Sequence, residues 1–406
     1  MAQNGVKLFI SHSSKTELNQ VKLKKVCDDL SDAGFDVLTD QLIQAGDEWR
    51  PRLFEWMAEC HAAIILMSVD AFDSSWVQVE STILAWRRCI DSKFTLICVL
   101  MDEVVSPEDM TDDPLFAVTR PTDYNLIRFE DIDVQLVKIK SGLGALANTD
   151  RTPFKDLIQR ISDVLANLGA NSQDTLQRAW DKLKCGDKPT NPNANFADAL
   201  ARLLVREPEK ALVNLHDLLY EITQITQTRD AETLLEIIRG LWVSPQAASM
   251  LAAGRNKRQP AAINCQRGTF TGKSYARRAW AYPQQCDVYS IDSHASFKQD
   301  LDEAITRICF PQEDKKTALL RLKSTATTKL ILLIFVYNSD LEINQLYELS
   351  QQITEKFRTI SVVLATGPKL PDALPSSVTP ITPALSPDEE DDQYINYKNI
   401  DEFIHQ

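Results

Sequence analysis

From Val6 to about Leu168, short apolar runs alternate with stretches of helical periodicity. Val6–Ile10, Phe35–Thr39, Ala62–Ser68, Phe94–Met101 and Leu126–Phe129 have the length and apolar content of strands. Leu18–Ala33, Arg50–Cys60, Trp76–Ile90 and Pro153–Leu168 space their apolar residues as helices do, with Pro51 in a first turn and Thr152 as an N-cap. Strands that alternate with helices and look buried on both faces predict a parallel, doubly wound α/β sheet. Between Gly169 and Asn195 the pattern lapses into Asn, Asp, Gly, Lys and Pro, the signature of a linker, around one short helix near Leu176–Leu183. Phe196–Ala253 then reads as helical throughout. From Pro260 strands return at Ala261–Cys265, Asp287–Ile291, Leu330–Val336 and Ile360–Ala365, separated by helical stretches. The expected organisation is an α/β domain at 1–168, a linker at 169–195, a helical segment at 196–254 and a second α/β domain at 255–406.

Composition removes several alternatives. The 406 residues are 44% hydrophobic and 25% charged, ordinary for globular domains. With 44 Lys+Arg against 57 Asp+Glu the formal net charge is −13, which disfavours bulk attraction to nucleic acid or anionic membrane. No apolar run approaches the length of a membrane helix and the N-terminus lacks the pattern of a signal peptide, so a cytoplasmic protein with no membrane partner is expected. The eight cysteines are scattered without a CxxC pair, which suits buried thiols in a reducing compartment and gives no metal site.

The chemistry concentrates near the N-terminus. Leu8-Phe9-Ile10-Ser11-His12-Ser13-Ser14-Lys15 ends the first strand, Gly34-Phe35-Asp36-Val37 leads to Asp40, and Gly46-Asp47-Glu48-Trp49 follows. A strand ending in Ser68 then precedes Asp73-Ser74-Ser75-Trp76-Val77-Gln78-Val79-Glu80. Trp76 and Glu80 are four apart and share a helix face, behind a Ser/Asp N-cap cluster. Ser11 and Asp40 belong at the carboxyl edge of the sheet, where open α/β folds bind ligands. An indole and a carboxylate converging there suit a ligand with a cationic aromatic ring and a ribose.

In order and spacing these motifs resemble the Toll/interleukin-1 receptor (TIR) domain family over roughly residues 4–168. The resemblance implies a flavodoxin-like fold and, for the enzymatic members, cleavage of NAD+ between ribose and nicotinamide, with NAD+ as substrate and no cofactor required. It places Glu80 as the catalytic carboxylate, Trp76 on the pyridinium ring, Phe9, Ser11 and Asp40 at the pocket, and Ser13, Ser14 and Lys15 near the phosphates. It makes Leu42–Trp49, with Ile43, Gly46 and Trp49, a self-association loop through which a neighbouring TIR domain completes the site. Non-enzymatic members are assembly adaptors, which is the alternative function. Taken alone, Glu80 is also a surface helix carboxylate, and Trp76 or Trp49 is also packing. His12 fits a loop residue better than a base, His61 a structural role, and Ser11 has no His/Asp pattern that would make it a nucleophile.

In the C-terminal half, Gly268-Thr269-Phe270-Thr271-Gly272-Lys273-Ser274 follows a strand and precedes the helical stretch Tyr275–Ala281, the setting of a phosphate-binding loop. Arg267 stands where that loop needs its first glycine, and Leu330–Val336 runs into Tyr337-Asn338-Ser339-Asp340 with no carboxylate at the strand end. With Ile360–Ala365, Thr366-Gly367-Pro368 and Leu374–Glu390, these resemble a degenerate STAND-type P-loop NTPase, a regulatory module fused to bacterial immune effectors. The resemblance implies a sensor of an infection-linked ligand or protein, and the missing residues imply no ATP hydrolysis. A ligand-sensing α/β domain of another kind is the competing expectation. Between Arg255 and Cys286 lie seven basic residues and no acidic one; Arg267, Lys273, Arg277 and Arg278 are the candidate sensing surface, against a solvated face that pairs with the acidic run Asp388–Asp392, a run itself expected to be solvated.

Overall fold

The computed structural model describes residues 6–13, 15–43, 48–91, 93–103, 105, 107, 110, 113–121, 126–147, 155–168, 173–183, 195–222, 228–280, 286–291, 297, 300–323, 330–337 and 342–405. It is an α/β protein with two parallel five-stranded sheets. The apolar runs predict the five strands of the first and four of the second, and the two-residue edge strand Thr379–Pro380 is not among them. The chain divides into two compact units. One comprises Met1–Met110, Thr119–Val243 and Ile395–Gln406; the other comprises Thr111–Val118 and Ser244–Tyr394.

In the first stretch of chain the elements are β1 (Lys7–Ser11), α1 (Glu17–Asp32), β2 (Asp36–Leu38), α2 (Trp49–Glu59), β3 (Ala62–Met67), α3 (Val69–Phe72), α4 (Ser75–Ile90), β4 (Thr95–Leu100), α5 (Pro114–Thr119), β5 (Leu126–Ile127) and α6 (Ile132–Ala147). Five helices follow: α7 (Leu157–Leu168), α8 (Gln173–Leu183), α9 (Phe196–Arg206), α10 (Ala211–Glu221) and α11 (Thr228–Leu241). The sheet order is β2-β1-β3-β4-β5, all parallel, with β1 between β2 and β3. That is the doubly wound order with its topological switch beside β1, which places a ligand crevice at the carboxyl end of β1. Burial supplies the reason for the order: every residue of β3 is buried, so it must lie inside the sheet with both faces covered. Leu23, Val26 and Leu30 of α1 and Leu136, Ile139 and Leu143 of α6 share one core with the sheet.

α6 has no counterpart in the sequence reading. Gly142 and Gly144 depress its helix propensity, and the exposed Val134 and Val137 blur its apolar stripe. A Cβ on Gly142 would come within 3.0 Å of Ile97 Cδ1, so this glycine lets the helix lie close on β4. The expected helix at 153–168 begins at Leu157, and Thr152 and Pro153 lie outside the described residues. Most of 169–195 also lies outside them; what is described there is α8.

The second unit carries α12 (Pro245–Asn256), β6 (Ala261–Ile263), α13 (Gly268–Trp280), β7 (Cys286–Ile291), α14 (Leu301–Cys309), α15 (Lys315–Lys323), β8 (Leu330–Val336), α16 (Ile343–Lys356), β9 (Ile360–Ala365) and β10 (Thr379–Pro380). Its sheet runs β10-β6-β9-β8-β7, again parallel. The last helix, α17 (Pro387–Ile404), begins in this unit, and its residues from Ile395 count with the first.

The second unit corrects three sequence expectations. Gly268–Ser274 is not a loop, because α13 starts at Gly268 and the motif is its first two turns. Its glycines serve packing: a Cβ on Gly272 would fall 2.2 Å from Ile334 Cδ1 of β8. Next, the acidic run is not merely solvated. It forms the start of α17, and Glu390 is 1% exposed. Its carboxylate accepts from the Gln266 and Arg267 backbone N–H groups (2.7 and 3.0 Å) and from the Thr271 hydroxyl, so a chain carboxylate fills the anion seat at the N-terminus of α13. Finally, Arg277 and Arg278 are buried on α13 and cannot form a sensing surface, because the apolar packing of that helix places them inside. Arg267 remains exposed, pairs with Asp391 at 2.9 Å and lies over the Tyr394 ring, while Lys273 is half-buried.

The packing at Gly272 makes a direct prediction. Gly272→Ala should destabilise the second unit by about 1–3 kcal/mol, the usual cost of overpacking a core. Combination with Ile334→Val, which removes the clashing methyl, should recover part of that loss in urea denaturation. An unaltered Gly272→Ala midpoint would contradict the close approach of α13 to β8.

Candidate functional site

The site is assembled at the carboxyl end of β1. Ser74 caps α4 by accepting from the Val77 N–H at 3.3 Å, which fixes where the helix begins and sets Trp76 and Glu80 one turn apart on the same face. Glu80 is 3% exposed, and both of its oxygens are engaged. The Ser11 hydroxyl donates to Oε2 at 2.5 Å, and the Trp76 indole N–H donates to Oε1 at 2.7 Å. Burial pushes the Glu80 carboxyl up to about 8; the Ser11 hydrogen bond opposes this, the neighbouring charge of Asp40 adds to it, and the Trp76 hydrogen bond opposes it. At neutral pH this carboxyl holds its proton.

Trp76 is the lid over that carboxyl. Its half-buried ring meets Trp49 edge-on, with centroids 4.5 Å apart, and has Phe54 at 6.3 Å and the Arg50 guanidinium 5.9 Å from its centroid. All three neighbours come from the first turns of α2. Asp40 is half exposed beside the site, and His12 Nε2 lies 3.5 Å from its Oδ1.

The sequence-derived residues therefore occupy different places. Ser11 and Trp76 each contact Glu80, with Asp40 near them. Phe9 is fully buried in β1, and Lys15 is exposed at the start of the loop into α1. Ser13 and Ile43 are half-buried, and Trp49 is 48% exposed, so Trp49 serves both as a surface residue and as a wall of the site. Ser14 and Gly46 lie outside the described residues. His61 accepts the Lys7 backbone N–H at 3.0 Å, and burial lowers its pKa, a structural placement away from Glu80. Arg50 and Phe54 are the wall residues that sequence reasoning missed. Phe54 had only a helical position in the sequence to mark it, and Arg50 carried no signal.

Residues 8–133 match the TIR domain family. They are a TIR domain. The match covers less than half of the chain, and no curated protein matches the sequence. The TIR match spans β1 to the start of α6, so the whole Glu80 site lies inside it. Among the described residues no helix is long and apolar enough to cross a membrane. The described cysteines are free thiols; burial raises Cys60 to about 11 and Cys98 to about 12, which leaves neither as a nucleophile near neutral pH.

Chemically, the arrangement offers a carboxylate, a hydroxyl and an aromatic face around one point at the sheet edge. With the carboxyl ionised, such a set can stabilise a positive charge that develops on a sugar carbon and stack a planar cationic ring beside it.

Proposed function

We propose that the TIR domain cleaves the glycosidic bond of NAD+ between the nicotinamide nitrogen and the ribose, with Glu80 as the catalytic carboxylate. The observation that supports this most is the contact set at Glu80, in which an indole one helical turn away and a strand-end hydroxyl both address the same buried carboxyl. Nicotinamide leaves with the bonding electron pair as a neutral ring, so no general acid is needed. The ribosyl carbon becomes oxocarbenium-like and gains from an adjacent negative charge. Water then adds and loses a proton, giving ADP-ribose; capture by an adenine nitrogen would give a cyclic product instead. Trp76 would stack on the departing pyridinium once it has swung off Glu80; Asp40 lies beside the carboxyl, and the TIR resemblance assigns Lys15 to the phosphates.

A second reading, assembly through TIR–TIR contacts without chemistry, is supported by one observation: in this conformation both Glu80 oxygens are occupied by hydrogen-bond donors, and burial favours the uncharged carboxyl. Assembly reconciles the two readings. Trp49 ends the loop, Leu42–Trp49, that the TIR resemblance assigns to self-association, so a neighbouring copy that engages Trp49 would free Trp76. The second unit, with exposed Arg267 beside Asp391 and Tyr394, is then the candidate receiver of an activating ligand or protein in an immune effector.

Light scattering on the purified full chain, run in parallel with NAD+ turnover, distinguishes these readings. Turnover per molecule that rises with the assembled fraction supports an assembly-activated hydrolase. Assembly with NAD+ left intact supports the scaffold, and turnover independent of concentration contradicts assembly control.

A further inference from the structure

The helices that follow the TIR match bring an ion cluster against α2. Glu55, in the middle of α2, is 2% exposed. Arg202 and Arg206, one turn apart on α9, converge on it: Arg206 Nε and Nη2 reach Oε2 at 2.9 and 2.6 Å, and Arg202 Nη1 takes Oε1. Arg202 also reaches Glu59 at 3.4 Å and is itself braced by Asp198 at 2.9 Å, while Lys7 of β1 holds Glu59 at 2.6 Å. Burial alone would raise the Glu55 carboxyl, but hydrogen bonds from Arg206 and Arg202 outweigh it and hold the group below its usual range. A buried carboxylate with forked arginine partners fixes the seat of a helix more strictly than apolar contact does, because every displacement exposes an unpaired charge.

α2 is also the helix whose first turns supply Trp49, Arg50 and Phe54, the three residues that hold the Trp76 lid. We infer that Arg202 and Arg206 are positioning residues for the Glu80 site: by gripping Glu55 they lock α2 in the seat that keeps Trp76 on the carboxyl. This rests on the catalytic reading of Glu80 for its effect on turnover but not for its effect on structure. The helical segment thereby becomes a built-in restraint on the TIR domain, and loosening α9 is the act that unlocks it. Among the described residues, the titratable and charged groups in contact with the site are Asp40, His12 and Arg50, none of which belongs to the grip.

The test compares the wild-type full chain with Arg202→Gln/Arg206→Gln and with Glu55→Gln, two ways of breaking the same grip. Glu55→Gln preserves side-chain volume and keeps the test available if the double variant does not fold. Two readouts are needed at about neutral pH. One is the infrared band of the protonated Glu80 carboxyl, identified by its absence in Glu80→Gln; the other is nicotinamide release from NAD+. Both grip variants are expected to lose most of the protonated band, as water reaches Glu80. They should also release nicotinamide up to roughly tenfold faster, the limit for a carboxyl at about 8 that becomes fully ionised near pH 7. A changed band with no nicotinamide release from any form, wild type included, upholds the positioning role and defeats the catalytic reading. Folded grip variants that keep the wild-type band overturn the inference, whatever their turnover.

Discussion

Raising the pH from about 5 to about 9 is expected to weaken the folded wild-type chain by about 4 kcal/mol more than it weakens the Glu80→Gln variant. The sign follows from where the proton sits. Below the ordinary carboxyl value of 4.5 Glu80 is protonated in both folded and unfolded chains. Between 4.5 and about 8 the folded chain retains a proton that the unfolded chain has released, so stability falls as pH rises across that window. Above about 8 the folded chain carries the charge in a buried seat and the loss is complete. Glutamine preserves the shape and does not titrate; its amide oxygen accepts the Trp76 N–H, and its NH2 donates to the Ser11 hydroxyl, which can accept. Urea midpoints of both proteins across the pH range isolate the effect, because every other titrating group is common to the two. A gap that widens with pH in favour of glutamine is the expected result; a constant gap would mean that Glu80 is ionised in the folded chain throughout.

The same substitution is expected to cut NAD+ cleavage roughly 10²–10³-fold, the usual cost of removing a group that opposes charge developing in the transition state. Stability and activity thus move in opposite directions at one residue, which separates a catalytic carboxylate from a structural one. Glu80→Asp retains the charge but withdraws it by one methylene, and it should retain more activity than glutamine while losing the hydrogen bonds to Ser11 and Trp76. Thermal melting and circular dichroism on each variant show whether the fold is intact. Loss of turnover in Glu80→Gln at wild-type or higher stability is the outcome that supports the mechanism. Undiminished turnover would remove Glu80 from it.

What could be read in the sequence was local. Trp76 and Glu80 are one turn apart behind a serine cap, and helical geometry alone brings them together. The buried strands announced themselves as short apolar runs, β3 most clearly. Long-range pairings were not legible. The bond between Ser11 and Glu80 closes 69 residues of chain, and the grip of Arg202 on Glu55 closes 147. Glu55 and Arg202 each look like an ordinary charged position on an amphipathic helix, and only packing α2 against α9 turns them into a buried cluster. The C-terminal half misled for a physical reason. Glycine followed by lysine and serine marks a phosphate loop when the backbone must wrap an anion, yet the same glycine is needed wherever a helix lies hard against a strand. Gly272 meets the second need, against Ile334. The acidic run was also ambiguous, since Asp388 and Glu389 are exposed and only Glu390 turns inward to the N-terminus of α13.

Nicotinamide release on mixing the concentrated full chain with NAD+ tests the central claim most directly, with Glu80→Gln run in parallel. Wild-type protein should release nicotinamide in step with NAD+ loss, faster at mildly alkaline pH than at neutral pH as Glu80 ionises, and the variant should release it at the background rate. NAD+ left intact by the wild-type chain at every protein concentration and pH, with the chain folded and assembled, would contradict the account and leave the TIR domain as an assembly module.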